Sequence, residues 1–69
     1  MPDLTDTFLA EIDAFLVEVD MPVTTFGRRA VNDPMFVIRL HNGSRALTNT
    51  VDRVRAYMAQ QRAARRAAT

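Results

Sequence analysis

Leu4, Phe8, Ile12, Phe15, Leu16 and Val19 recur at steps of four and three, with acidic residues between them. This is the stripe of an amphipathic helix, and it does not fit the two-residue alternation of a half-buried strand. A first helix is therefore expected over residues 3 to 19, with Thr5 or Asp3 as its cap. Leu9 and Val17 fall off the stripe and widen the apolar face, as contact with more than one neighbouring helix would require. Met21-Pro22 should end the helix, because proline disfavours the helical region for the residue before it and suits the first turn of a second helix. TTFGRRAV then reads as that short second helix, with Phe26 and Ala30 inward and Arg28-Arg29 outward. Gly27 within it costs about 1 kcal/mol relative to alanine, and close approach of another helix backbone is the simplest reason for it.

The segment VNDPMFVIRLHNG is the hardest to read, since its apolar, β-branched run also suits a strand. A strand leaves Pro34 and the Asn-Gly pair without a matching partner run, because SRALTNT shows no alternation. The helical reading uses every residue. Asp33 caps, Pro34 takes the first helical position, Phe36, Val37 and Leu40 share one face, and Asn42-Gly43 supplies left-handed residues at the end. A third helix at about 33–41 is expected, then a fourth capped by Thr48 or Asn49 that turns Val51, Val54, Tyr57 and Met58 inward. Beyond Met58, the Ala/Arg-rich tail at 59–69 keeps helix propensity but has no large apolar residue, so it either projects as a basic helix end or frays. No internal repeat, linker or second domain is apparent. The expected fold is all-α, a compact bundle of four to five helices forming a single domain over 1–69.

A chain of 69 residues without cysteine buries only roughly 60% of its unfolded surface, so its core is thin and a homodimer is expected to add burial. No apolar run reaches the roughly 20 residues of a membrane span. MPDLTDTF has neither a basic nor an apolar leader region, so the expectation is a cytoplasmic protein. Charge is sharply segregated. Residues 1–20 sum to about −6 and residues 21–69 to about +7, with all nine basic side chains arginine. Such polarity suggests a face for polyanions. The plainer alternative is attraction between an acidic first helix and basic later ones.

The segment from Phe26 to Gly43 resembles, without gaps, the helix-turn-helix of the phage Cro/repressor-like (XRE) transcription factors. Phe26-Gly27 stand where that pattern has a large apolar and then a small residue, Ala30 where helices two and three cross, and Val37 and Leu40 at the core positions of helix three. Asn42-Gly43 match the ending of that helix, and Thr48, Val51 and Val54 carry the match into helix four. Val31 replaces the usual turn glycine, Asn32 the usual apolar turn residue and Asp33 the usual Ser/Thr cap, so the turn should be made differently, with Asn32 in the left-handed region that asparagine tolerates.

The resemblance implies a DNA-binding regulator of the repressor-like type, found with the nucleoid, with repression by promoter occupancy favoured. It turns Pro34, Met35, Ile38 and Arg39 toward the major groove. Of these only Arg39 can bond a base edge in bidentate fashion, while Met35 and Ile38 suit thymine methyl groups. Arg28, Arg29, His41, Asn42, Ser44, Arg45, Arg53 and Arg55 are the expected backbone contacts, helped by backbone amides near Asn42-Gly43 and at the start of helix two. The implied partners are double-stranded DNA, a second copy of the chain and, through the acidic first helix, RNA polymerase. The competing expectation is a protein-interaction module, such as an anti-activator or polymerase-binding factor, using an apolar face of Met35, Phe36 and Ile38. One histidine, one serine and no cysteine assemble neither a metal site nor a nucleophile with its base, so no enzyme activity, metal, cofactor or small-molecule ligand is expected.

Overall fold

The computed structural model describes residues 4 to 67. Four helices succeed one another: α1 (Leu4–Val19), α2 (Val23–Val31), α3 (Phe36–His41) and α4 (Thr48–Ala67). Among the described residues there is no strand, which removes the strand alternative for 31–43. No helix there is long and apolar enough to cross a membrane. The Asp3 cap, the side chain of Leu4 and the last two residues of the basic tail lie outside the described residues. Thr5 lies inside α1 and is not its cap.

The core is built from the stripes expected of each helix. Phe8, Ile12, Phe15 and Leu16 of α1 meet Phe26 of α2, Phe36, Val37 and Leu40 of α3, and Val51, Val54 and Met58 of α4. The rings organise it. Phe15 and Tyr57 both pack on Phe26, at centroid distances of 5.7 and 5.6 Å, and Phe8 meets Phe36 edge-on at 6.5 Å. Leu9 is partly buried against the core, whereas Val17 is 84% exposed and widens nothing. Tyr57 packs against the core, partly buried, with its hydroxyl directed to the Met21 Sδ at 4.0 Å.

Three helix ends turn on left-handed residues, and only one of these is glycine. Asp20 (φ 54°) ends α1, where the Met21 N–H returns to the Leu16 carbonyl at 3.1 Å. Asn32 (φ 56°, ψ 37°) ends α2 and donates to the Arg28 carbonyl at 3.0 Å, so asparagine makes the turn that the missing glycine would have made. Gly43 (φ 100°) ends α3, with its own N–H on the Leu40 carbonyl and the Ser44 N–H on that of Arg39, a complete Schellman closure. Asn42, expected to be left-handed too, has φ −89°.

Asp20 is the costly member of this set, because it combines a left-handed backbone with a carboxylate at the negative end of a helix dipole. Asp20→Gly is expected to stabilise the fold by about 1 kcal/mol and to raise the thermal midpoint by about 4–8 °C. A circular-dichroism melt at 222 nm reads this directly, and an unchanged or lower midpoint contradicts it.

Candidate nucleic-acid interface

The α2–α3 turn places the candidate site. The Asp33 N–H donates to the Gly27 carbonyl at 3.1 Å, and a Cβ on Gly27 would run into the Asp33 carbonyl oxygen. Backbone meets backbone there, which is the reason for the glycine that helix propensity could not supply. One carboxylate oxygen of Asp33 accepts the Met35 N–H at 3.1 Å in an Asx turn ahead of the helix; the N-cap position of α3 is Met35 and has no side-chain cap, so Asp33 is not the expected cap. Its carbonyl also accepts the Phe36 N–H at 3.1 Å, closing a tight turn through Pro34-Met35. The helix itself therefore starts at Phe36, two residues later than Pro34 and shorter than the expected 33–41.

Phe36, Val37 and Leu40 of α3 point into the core. Pro34, Met35 and Arg39 are exposed on the other side, with Ile38 half-buried between them. The buried Phe36 cannot belong to an outward apolar face with Met35 and Ile38. Arg39 is not free: its guanidinium pairs with the second carboxylate oxygen of Asp33.

The acidic helix accounts for much of the charge segregation. Arg55 forks onto Glu11 with two bonds of 3.0 Å, and Arg62 reaches Glu18 through Nε at 3.0 Å and Nη2 at 2.9 Å. Each guanidinium also lies over a phenylalanine of α1, Arg55 at 5.8 Å from the Phe8 centroid and Arg62 at 5.3 Å from that of Phe15. The bonds to Glu11, against some desolvation and with the pull of Asp52 added, raise the Arg55 pKa above its ordinary value. His41 meets the Asp13 carboxylate at 3.1 Å. Acids late in α1 oppose that helix's own dipole, and its last turn has no basic residue. Their favourable partners come from α3 and α4.

This pairing has a sequence signal after all. FLAEIDA and FLVEVDM, residues 8–14 and 15–21, are two copies of one seven-residue unit, contrary to the expectation of no internal repeat. Glu11 and Glu18 occupy equivalent places in it, and both arginine partners lie 44 positions further on. A constant offset means that α1 and α4 run in the same direction along this seam, with one rung per two helical turns.

Attraction between acidic and basic helices thus holds for Arg55 and Arg62, and a hydrogen bond joins His41 to Asp13; these contacts draw Arg55 and His41 away from the backbone-contact set. Arg28, Arg29, Arg45 and Arg53 are exposed and have no ion-pair partner among the described residues. The expected amide contribution is also halved. The N–H groups of Asn42, Gly43 and Ser44 are all spent on α3 carbonyls, whereas Pro22 offers no side-chain cap to the first turn of α2. Asn42 and Ser44 remain exposed through their side chains alone. Known protein families, curated proteins and solved structures contain no match to this chain.

Proposed function

We propose that this chain is a sequence-specific DNA-binding regulator of the repressor-like helix-turn-helix type, with α2 and α3 as its reading unit. The observation that carries the proposal is the division among the arginines. Those facing α1 are neutralised, and Arg28, Arg29, Arg45 and Arg53, four of the expected phosphate contacts, keep their charge for a polyanion. Arg28 and Arg29 close α2, Arg45 comes after α3 and Arg53 lies on α4, so they flank the turn and helix whose outer side carries Met35 and Arg39. Phosphate contacts of this kind fix register, and the exposed side of α3 reads base edges in the major groove.

A thin core favours a homodimer reading two half-sites about 34 Å apart, and occupancy of a promoter is the simplest route to repression. Contact with RNA polymerase through α1 is the less supported option, because Glu11, Asp13 and Glu18 are already engaged. The alternative of an interaction module docking through Met35, Phe36 and Ile38 is weakened by the place of Phe36 in the core.

Fluorescence anisotropy with labelled genomic fragments across a range of salt tests the proposal. Four phosphate contacts per protomer give a log K against log salt slope of about −4 per protomer. Removing two of them with Arg28→Ala/Arg29→Ala should flatten it by about 2. A slope near zero, or one indifferent to the double substitution, contradicts the reading.

A further inference from the structure

We infer that Asp33 and Arg39 act as one unit that reads a G·C base pair, with Asp33 the positioning residue and Arg39 the one that touches the base; this rests on the proposal of DNA binding. Asp33 uses its two carboxylate oxygens for two purposes at once. Oδ1 accepts the Met35 N–H at 3.1 Å and so is tied to the backbone at the start of α3, while Oδ2 holds the Arg39 guanidinium. The carboxylate is therefore fixed by the chain, and the arginine is fixed by the carboxylate.

Arg39 is half exposed, with 52% of its side chain accessible, against 31% for Asp33. A guanidinium carries five donors in a planar fork, one carboxylate cannot take all of them, and half of this side chain is accessible, so donors remain to face outward. The pair of acceptors that matches such a fork in the major groove is guanine O6 and N7. Side-chain freedom that binding would otherwise remove is already given up in the free protein. A carboxylate this close to the proposed phosphate contacts would repel DNA if it stood alone, and the ion pair compensates the Asp33 charge in place. The carboxylate's remaining lone pairs suit the cytosine N4 amino group of the same pair; adenine N6 offers a similar donor, so the choice of G·C rests on the arginine fork to guanine O6 and N7.

The test is selection from a library of duplexes with a randomised central segment, then sequencing of the bound fraction, for the wild type, Arg39→Ala and Asp33→Asn. Asparagine keeps the oxygen that accepts the Met35 N–H and loses the charge that holds Arg39, so thermal melting should stay close to that of the wild type. The wild type should enrich guanine at one position per half-site. Arg39→Ala should abolish that preference, and Asp33→Asn should weaken it about tenfold at the same position, without weakening binding to the unselected pool. Retention of the full guanine preference in Asp33→Asn overturns the inference, as does an equal gain in affinity for every sequence, which would make the carboxylate a mask. A wild type that binds the pool with steep salt dependence but favours guanine nowhere also overturns it while leaving the DNA-binding reading in place. A wild type that binds no duplex removes both.

Discussion

Phe26→Ala is expected to leave the chain largely unfolded at 25 °C. Phe26 is 0% exposed and is the ring on which Phe15 of α1 and Tyr57 of α4 both pack, at 5.7 and 5.6 Å, so three helices share it. Truncating a buried phenylalanine costs about 3–5 kcal/mol once the cavity is counted. A domain of 69 residues holds only about 3–10 kcal/mol in total, so the loss takes most of the margin. Urea titration monitored at 222 nm should show the helical signal falling without a native baseline. Phe26→Leu, which keeps most of the volume, should cost far less and retain a cooperative transition. A wild-type midpoint for Phe26→Ala would mean that the ring cluster does not join these helices.

Gly27→Ala is the second large effect, and there two physical influences predict opposite signs. Helix propensity favours alanine by about 1 kcal/mol in the interior of a helix. The new Cβ, however, would run into the Asp33 carbonyl oxygen and sit 3.4 Å from the Phe36 Cβ. That carbonyl cannot swing aside cheaply. Asp33 is held by its own N–H on the Gly27 carbonyl and by the Phe36 N–H on its oxygen, both at 3.1 Å. Opening the turn breaks those bonds and pulls α3 from α2, so a net loss of about 3 kcal/mol is expected. The thermal midpoint should fall by more than about 10 °C, and DNA affinity should fall with it even where the protein stays folded. A variant as stable as the wild type would mean that α3 can move off α2 without losing this turn.

Much of this architecture is local chemistry and can be read from the chain. The α1 stripe, the inward Phe26 and Ala30, the buried Phe36, Val37 and Leu40, and the left-handed Asn32 all come from period and turn residues within a few positions of one another. Local rules put the start of α3 two residues early, because Asp33, read as a cap, instead closes a turn ahead of the helix through both its side chain and its carbonyl. The same rules offer the amides of Asn42 and Gly43 to phosphate, although the Schellman closure around Gly43 needs them.

The candidate site is legible in its residue types but not in its pairings. Helical spacing within α4 sets Arg53 opposite the Val51, Val54 and Met58 stripe and Arg55 on its edge, but it does not name the partner onto which Arg55 forks, Glu11, 44 positions away. The seven-residue repeat of α1 carries that information, since two glutamates one unit apart need two partners one unit apart. Arg39 and Asp33 lie six positions apart across a turn, outside the three- and four-residue spacings by which helical neighbours are recognised. Long side chains with several possible partners are where local rules lose their hold, and the charges of the candidate site belong to that class.

If the outer side of α3, flanked by Arg28, Arg29, Arg45 and Arg53, is the surface that meets duplex DNA, the contact should be visible residue by residue. The decisive measurement is a titration of ¹⁵N-labelled protein with a short duplex carrying a selected site, monitored through backbone and arginine side-chain resonances. Shifts are expected at Met35, Arg39 and those four arginines, with Ala10, Ala14 and Val17 on the exposed side of α1 unmoved. Shifts gathered on α1, or none at saturating duplex, would contradict DNA binding through α3.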